Sequence, residues 1–333
     1  MPKLYIEEYT KTLAGKSVCI ACREGILRDH FQDIIADIKF LNRQGVHTIL
    51  FHNMPNRFSN QKHFRELSSR LPETRIVKVL PDIDFYNFVL DFEPHVHKLI
   101  FLERKFLMDH QGVKINAINT GRFMEAFGGY TDFIANVNFR DALEKICRKI
   151  DSGQCERAHI LPAGKHSIKH ELFTIEGSGT LIANNFEESF SVVATRREVE
   201  IIFGILNMYK HESYLKPRSL EYIQEKRDAF YVTKIDGIIV GCVEKKVIDD
   251  ETVELGAVAI STKFINQRVG VFTINAFIDK MAVEGYRCFI SLTSNPQLGR
   301  LYKRMGFSRG LFPRYAARQD QSPGVTMYVK EIG

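Results

Sequence analysis

The order of strand, helix and strand near the start of the chain most constrains its fold. Residues 16–22 form a short apolar run after a turn at Gly15, and residues 46–51 form a second run after Gly45. Between them, residues 28–43 carry apolar side chains at helical spacing, which predicts one amphipathic helix. Two strands joined through a helix pair in parallel, so the chain is expected to begin with an α/β fold.

The same alternation continues through the first half of the chain. Further strands are predicted over 75–80, 117–119 and 158–162, with a helix over 139–151. A glycine-rich turn at 177–182 closes this half. We therefore expect an N-terminal domain over residues 1–185 that is an αβα sandwich with a mainly parallel sheet.

From Phe190 the pattern changes to helices followed by closely spaced strands. Two helices, over about 196–209 and 218–227, precede a hairpin that turns at Asp236-Gly237. A strand over 252–260 and a helix over 270–284 follow. This order predicts a second domain over 190–333, an α+β domain whose sheet is mixed and mostly antiparallel, and a length of 333 residues suits two domains.

Composition narrows the class of protein. The chain is 44% hydrophobic and 26% charged, which is typical of a globular protein, and no run of eighteen apolar residues favours a membrane helix. The N-terminus lacks the pattern of a signal peptide, so we expect a cytoplasmic protein with no membrane partner. The net charge of +6 comes from basic residues interleaved with acids, a pattern that favours a polyanionic small molecule over nucleic acid as the partner.

Three close pairs of cysteine or histidine residues have spacings compatible with a redox or metal site: Cys19 with Cys22, His95 with His97, and His166 with His170. Each pair lacks further ligands nearby in the sequence, and a zinc site needs three or four. Free cysteines are also among the most buried residues in proteins. We therefore interpret all three pairs as structural and expect no metal.

A short motif near the C-terminus carries the most specific signal. Asn295 follows the predicted strand 288–292, and Tyr302 comes seven residues later, within Leu-Tyr-x-x-x-Gly-Phe ending at Phe307. This spacing resembles that of the GNAT superfamily of N-acetyltransferases, which use acetyl-CoA. The resemblance implies that Asn295 belongs to the CoA site and that Tyr302 protonates the departing thiolate. A half-buried packing aromatic is the alternative interpretation of Tyr302.

The family's phosphate loop, Gln/Arg-x-x-Gly-x-Gly/Ala before a helix, corresponds to residues 265–270 or, two residues later, to 267–272. The first register keeps Gly270 but has Arg268 in place of a glycine, and the second matches Gln267 and Gly270. In either register, backbone N–H groups at the helix start are implied to bind the CoA pyrophosphate. The implied members of this site are Gln267, Arg268, Val269, Gly270 and Val271.

The strand before this loop opens with Glu254. The resemblance implies that Glu254 takes the proton of the attacking amine, directly or through water, and a solvated charge at the strand end is the alternative. It also implies that the backbone around Val258, Ala259 and Ile260 pairs with the pantetheine arm and polarises the acetyl carbonyl.

A narrower resemblance, to N-acetylglutamate synthases, covers nearly the whole chain. Residues 171–182 are similar to that family's interdomain junction, 215–219 to its basic segment and 327–330 to its last strand. Those enzymes join an amino-acid-kinase-like domain to a GNAT domain. The resemblance implies that Lys216 and Arg218 hold the carboxylate of an amino-acid substrate, which suits their charge. A solvated pair at a helix entry is the alternative.

The N-terminal half departs from that family. Where the kinase fold has a His-Gly-Gly-Gly anion loop after its second strand, this chain has residues 52–56, His-Asn-Met-Pro-Asn. Without those glycines the backbone does not form the same phosphate cradle. We expect a shortened, non-catalytic amino-acid-kinase-like domain that mediates homo-oligomerisation or holds a regulatory site for an amino acid.

Together these features predict an acetyl-CoA-dependent N-acetyltransferase that acts on the α-amine of an amino acid, with glutamate as the leading small-molecule substrate. Two alternatives stay open. The acceptor is another small amine or a protein lysine, or the chain is a non-catalytic sensor of CoA or of an amino acid.

Overall fold

The computed structural model describes residues 6–55, 62–92, 95–108, 112–121, 140–174, 177–184, 188–209, 215–235, 237–261, 269–310, 312–320 and 324–333. The chain divides into two compact units, Met1–Phe186 and Glu187–Gly333.

The described elements of the first unit alternate between helices and strands. In chain order they are α1 (Ile6–Leu13), β1 (Ser17–Cys22), α2 (Glu24–Asp29), α3 (Phe31–Arg43), β2 (His47–His52), α4 (Lys62–Arg70), β3 (Thr74–Lys78), α5 (Phe85–Phe92), β4 (Val96–Glu103), β5 (Ala117–Asn119), α6 (Arg140–Asp151), β6 (Cys155–Pro162), α7 (Ser167–Phe173) and β7 (Thr180–Ala183).

The strands of the first unit form one sheet in the order β3-β2-β1-β4-β6-β7-β5. Pairing is parallel from β3 to β6, and β7 runs antiparallel to β6. Alternate residues of β1 face opposite sides of the sheet: Val18 and Ile20 pack in one apolar cluster, and Cys19 and Ala21 pack in another. Since α3 and α7 contribute to the first cluster and α5 and α6 to the second, the unit is the predicted αβα sandwich.

One predicted helix of the first unit is wrong in its extent. The helix expected over 28–43 is two helices, α2 and α3, that meet at His30. The backbone of His30 leaves the helical region, with φ −121° and ψ 26°, so the chain turns there although the apolar spacing continues through it.

The second unit begins with a strand and a helix pair and continues with a hairpin. Its described elements are β8 (Glu188–Val192), α8 (Arg196–Met208), α9 (Leu220–Glu225), β9 (Phe230–Ile235), β10 (Ile238–Val247), β11 (Thr252–Ile260), α10 (Val269–Val283), β12 (Cys288–Thr293), α11 (Pro296–Arg304), β13 (Ser308–Gly310), α12 (Ala316–Asp320) and β14 (Thr326–Glu331).

The strands of the second unit form a sheet in the order β13-β14-β12-β11-β10-β9-β8. Within the described residues, β11 and β12 are the parallel pair, and the other neighbours run antiparallel. One face of the sheet packs on α10 through a cluster that includes Val243, Leu255 and Phe277. The predicted mixed, mostly antiparallel sheet is therefore confirmed.

Candidate active site

The parallel strands β11 and β12 pair over only part of their length. Three residues pair in register, ending with Glu254 opposite Ile290. Beyond that point β11 continues to Ile260 and β12 to Thr293, each pairing with its other neighbour. The two strands thus separate within the sheet, and a gap opens between them.

A β-bulge in β11 accounts for the separation. Gly256 lies opposite Glu244 of β10 and Ala259 lies opposite Cys242, so β11 has one residue more than its partner between these pairs. Ala257, within the bulge, has φ 45°, a left-handed conformation that costs free energy in a residue with a Cβ. A bulge bends its strand and increases its twist, which turns the rest of β11 away from β12.

Tyr302 lies at the head of this gap. Its side chain is fully buried, between the rings of Phe307 and Tyr328 at centroid distances of 4.8 and 5.5 Å. Helix α11 carries it there, since the spacing of apolar residues turns Leu298 and Tyr302 toward the apolar cluster under α10. Burial raises the pKa of Tyr302 above its ordinary value, so the phenol keeps its proton.

Ser291 of β12 connects Tyr302 to the strand across the gap. Its Oγ lies 2.9 Å from the Tyr302 hydroxyl and 3.1 Å from the carbonyl oxygen of Leu255 on β11. Leu255 and Ser291 each follow the last paired residues of their strands. The serine side chain therefore spans the two strands at the point where they part.

Five charged side chains form an alternating cluster on β10, β11 and their neighbours; we call it the charge cluster. Its members in order are Arg218, Glu244, Lys246, Glu254 and Arg318. The successive nitrogen–oxygen distances are 2.8, 3.8, 3.2 and 2.5 Å. Three cations face two carboxylates, so the cluster carries one excess positive charge.

Glu254 lies between Lys246 and Arg318 in the cluster and is 3% exposed. Arg318 donates two hydrogen bonds to the Glu254 carboxylate, from Nε at 2.5 Å and from Nη2 at 2.8 Å. Burial by itself raises the pKa of Glu254, but the contacts with Arg318 and Lys246 outweigh it and hold the pKa below its ordinary value. A carboxylate stabilised in this way is a weaker base than a free one.

The basic segment before α9 contributes Arg218 to the cluster. Arg218 donates to Glu244 Oε2 from Nη2 at 2.8 Å and from Nε at 3.2 Å, and to the carbonyl oxygen of Lys216 at 2.8 Å. The hydroxyl of Tyr222 also donates to the Glu244 carboxylate. Lys216 itself is exposed. The two residues that the sequence paired thus have different surroundings, because Arg218 is half-buried within the charge cluster and Lys216 is exposed.

Helix α10 starts close to the end of β11. Gly270 is in its first turn, where a Cβ would come within 3.3 Å of Leu301 on α11 and 3.9 Å of Ile260. The absence of a side chain there lets α10 approach both elements. Val269 and Val271 flank this glycine in the same turn, whereas Gln267 and Arg268 lie outside the described residues. The helix start thus lies close to the end of the strand, and its role in binding a pyrophosphate stays a prediction.

The strand residues of the implied pantetheine site lie beyond the bulge. Ala259 and Ile260 pair with Cys242 and Gly241 on one edge of β11, and the Ile260 carbonyl accepts from the Tyr209 hydroxyl. Val258 belongs to the bulge itself. The other edge of this stretch is the one that has parted from β12.

Asn295 is the N-cap of α11. Its Oδ1 accepts hydrogen bonds from the backbone of Gln297 at 2.8 Å and Leu298 at 3.4 Å. Such a cap satisfies amide groups that have no partner within the helix. Asn295 therefore sets the start and direction of the helix that carries Tyr302.

Sequence reasoning missed Glu244, Lys246, Ser291 and Arg318. Glu244 and Lys246 lie two residues apart on β10, and the period of two along a strand places both on one face. Arg318 reaches Glu254 from 64 positions away, and no local pattern marks such a contact.

Members of the cysteine and histidine pairs are buried or contact acidic side chains. Cys19 and Cys22 are buried in β1, as predicted. His97 Nδ1 lies 2.5 Å from Glu156 Oε2, and His166 Nδ1 lies 3.6 Å from Asp37 Oδ1. Across the described ranges, histidine, cysteine and acidic side chains form no group of three that would hold a metal ion. In those same ranges no helix has the length and apolar character needed to cross a membrane.

Comparison with known proteins agrees with this architecture. Residues 199–307 match the Acetyltransferase (GNAT) family. N-acetylglutamate synthase from Neisseria gonorrhoeae complexed with coenzyme A and L-arginine aligns with a TM-score of 0.53 and 15% identity, over 99% of this chain and 100% of that one. The same enzyme complexed with coenzyme A and N-acetyl-glutamate aligns with a TM-score of 0.46 and 16% identity, over 98% of both chains. No curated protein matches this chain significantly.

The family match over residues 199–307 lies within the second unit, and the fold of that unit agrees with a GNAT N-acetyltransferase domain. The alignment with the higher TM-score extends over the first unit and confirms the predicted fold class, an amino-acid-kinase-like unit followed by a GNAT domain. Acetyl-CoA is the co-substrate of this class of enzyme, as predicted.

The described residues fit that co-substrate. The gap between β11 and β12 exposes one backbone edge of β11 to a ligand, and backbone N–H groups of that edge suit an amide-containing arm. At the end of the same strand, the start of α10 suits a pyrophosphate, because a helix N-terminus favours anions. Tyr302 stands at the head of the gap with its proton retained.

Proposed function

We propose that the second unit transfers the acetyl group of acetyl-CoA to the α-amine of an amino acid, with glutamate as the favoured acceptor. The charge cluster beside Tyr302 is the observation that carries this proposal. Its excess positive charge attracts an acceptor that bears carboxylates, whereas a polyamine would be repelled. The fold shared with N-acetylglutamate synthase supports the same choice.

Lys216 and Arg218 are the proposed contacts of the acceptor carboxylate. Lys216 is exposed, and its ammonium group suits a carboxylate arriving from solvent. Arg218 is held by Glu244 through two donors, which fixes the direction of its guanidinium group. A fixed guanidinium group loses less side-chain freedom when it binds a carboxylate.

Acetyl-CoA supplies the acetyl group and leaves as a thiolate. Tyr302 is the proposed general acid, because its phenol is buried, protonated and located where β11 and β12 part. Glu254 is tied to Arg318 and Lys246, so we propose that it receives the amine proton through water and that its charge helps to order the cluster. The backbone of Val258, Ala259 and Ile260 is the proposed partner of the acetyl carbonyl.

We also propose that the first unit has no kinase activity and serves homo-oligomerisation or the binding of a regulatory amino acid. The loop after β2 supports the first point. Asn53 Oδ1 accepts from the backbone N–H of Glu24 at 2.7 Å, and His52 Nδ1 accepts from that of Met54 at 3.2 Å. These amides already have partners, whereas a phosphate cradle needs them for its ligand.

The test is to incubate the purified chain with acetyl-CoA and a panel of amino acids, polyamines and lysine peptides, and to follow release of free thiol. We expect release that depends on glutamate and that weakens when Lys216 and Arg218 are replaced by methionine and glutamine. Release with an amine that lacks a carboxylate would contradict the proposed acceptor and keep the acetyl transfer. Binding of acetyl-CoA without release for any acceptor would contradict the proposed activity and favour a sensor.

A further inference from the structure

The hydroxyl group of Ser291 has one hydrogen to donate and two acceptor oxygens within hydrogen-bond distance. Its Oγ lies 3.1 Å from the Leu255 carbonyl oxygen and 2.9 Å from the Tyr302 hydroxyl oxygen. Ser291 is 2% exposed and Tyr302 is fully buried, so water does not compete freely for either hydroxyl. The serine hydrogen therefore has two alternative directions within one buried group of three oxygens.

The three oxygens lie where β11 and β12 separate, so the direction of the Ser291 hydrogen affects the head of the gap. Leu255 and Ser291 are the first residues after the point where β11 and β12 stop pairing, so their hydroxyl–carbonyl contact closes the head of the gap. Rotation of the serine hydrogen toward Tyr302 requires no movement of either strand. The Leu255 carbonyl loses one partner in that rotation, and the Tyr302 oxygen gains one.

We propose that Ser291 is a positioning residue for acetyl transfer, which holds the Tyr302 hydroxyl at the head of the gap and stabilises the phenolate that Tyr302 becomes on giving up its proton. The inference rests on the proposed role of Tyr302 as general acid. In this step the Tyr302 O–H bond breaks, an S–H bond forms on the leaving thiolate, and the electron pair stays on the phenolate oxygen. The Ser291 hydrogen turns from the carbonyl oxygen to the phenolate.

The proton balance closes within the turnover. The attacking amine releases one proton when it becomes an amide. Glu254 receives this proton through water, and its passage onward to the phenolate restores the phenol of Tyr302. The Ser291 hydrogen then returns to the Leu255 carbonyl. Stabilisation of the phenolate is the point at which Ser291 affects the rate, because hydrogen bonds to charged oxygens are stronger than those to neutral ones. The direction of its effect on the pKa agrees: the Ser291 contact opposes the rise that burial causes in Tyr302.

The test compares four forms of the full chain by thiol release at saturating acceptor: Ser291→Ala, Ser291→Thr, Tyr302→Phe and the double variant Ser291→Ala with Tyr302→Phe. We expect Ser291→Ala to lower kcat by roughly tenfold or more, since it removes a hydrogen bond to a charged group, with KM for acetyl-CoA nearly unchanged. Ser291→Thr keeps the hydroxyl and should recover most of the rate. In the Tyr302→Phe background, Ser291→Ala should change kcat no further.

Several outcomes would overturn the inference. A role confined to strand pairing predicts that Ser291→Ala lowers the melting temperature and leaves kcat alone, or that it lowers kcat equally in both backgrounds. If Ser291→Ala does not fold, Ser291→Cys, which is similar in size and a weak donor, takes its place. If Tyr302→Phe lowers kcat and Ser291→Ala does not, only the role of Ser291 is contradicted. If Tyr302→Phe leaves kcat unchanged, the role of Tyr302 as general acid is contradicted as well.

Discussion

Tyr302 is the side chain on which the proposed chemistry depends most directly. Its phenol is buried and its pKa is raised, so it is protonated at neutral pH. Its neighbours Phe307 and Tyr328 keep the ring in one position. Both the chemical state and the orientation of this residue thus come from its packing.

We expect Tyr302→Phe to lower kcat by roughly 10²–10⁴-fold, the usual effect of removing a general acid, with little change in the affinity for acetyl-CoA. Phenylalanine keeps the ring, so the fold should persist. Tyr231→Phe is the matched control, because Tyr231 is also a buried tyrosine of this unit, on β9. Steady-state thiol release and binding of acetyl-CoA measure the two effects. Equal turnover in both variants would exclude Tyr302 as the acid.

Arg318 is expected to matter for stability, because Glu254 is almost fully buried and depends on it. Arg318→Ala should lower the free energy of unfolding at neutral pH by about 1–3 kcal/mol, as for a charged group that loses a partner. The pKa of Glu254 is lowered in the folded state, so its stabilising contribution is present at neutral pH and is lost as the pH falls through that pKa. The difference in the free energy of unfolding between the wild type and Arg318→Ala should therefore become smaller at acidic pH.

Arg314→Ala is the control for Arg318. Arg314 pairs with Asp249 at 3.3 Å with both side chains largely exposed, and such pairs contribute little. Urea unfolding between neutral and acidic pH distinguishes the two variants. A similar loss for both would mean that the Glu254 contact adds nothing beyond a surface ion pair.

At the scale of elements, the bulge in β11 determines where the gap lies. Without it, parallel pairing of β11 with β12 would continue past Glu254 and leave no edge for a ligand. Ala257 accepts a left-handed backbone at a free-energy cost, which a glycine would avoid and a β-branched residue would increase.

Ala257→Val is expected to destabilise the protein by about 1–3 kcal/mol and to raise KM for acetyl-CoA, because valine resists a positive φ and the bulge would shift. Ala257→Gly should keep both properties near those of the wild type, since relief of strain and the greater freedom of the unfolded chain oppose each other. Chemical denaturation and steady-state kinetics check both. Equal stability of the Val and Gly variants would show that the bulge does not depend on this backbone angle.

Each of the two units has its own apolar core, and each also buries titratable side chains. The first unit encloses His52 at the end of β2, with an exposed fraction of 1%. Burial lowers the pKa of His52 from 6.5 to about 4, and the charge of Lys78 adds to this. The folded protein therefore keeps this imidazole neutral through mild acid.

This burial predicts a pH dependence of stability for the whole chain. Between about pH 6.5 and 4 the unfolded state protonates His52 and the folded state does not, so the free energy of unfolding falls as the pH is lowered. The contribution is on the order of 2–3 kcal/mol. His52→Asn keeps an acceptor for the Met54 amide and should lose this part of the dependence, measured by urea unfolding across that range. Parallel curves for both proteins would contradict it.

Patterns within short stretches were sufficient to predict both architectures. The apolar spacing of residues 28–43 and the Asp-Gly turn at 236–237 depend on local backbone geometry, which is why the α/β order and the hairpin follow from sequence. The break at His30 did not follow, because the apolar period continues through it. Asn295 and Tyr302, whose spacing carried the family resemblance, are the cap and a buried residue of one helix, α11.

The sequence by itself thus determined the two folds and, through its resemblance to a family, the class of enzyme, because these depend on residues that are neighbours along the chain; the role of Tyr302 stays a prediction. Only the tertiary structure brought Arg318 to Glu254 and Ser291 to Leu255 and Tyr302. These contacts join strands and helices whose separation in sequence is set by loops, and loop length carries no signal about which side chains meet. The electrostatic state of Glu254 and the partner of Tyr302 are therefore properties of the folded sheet.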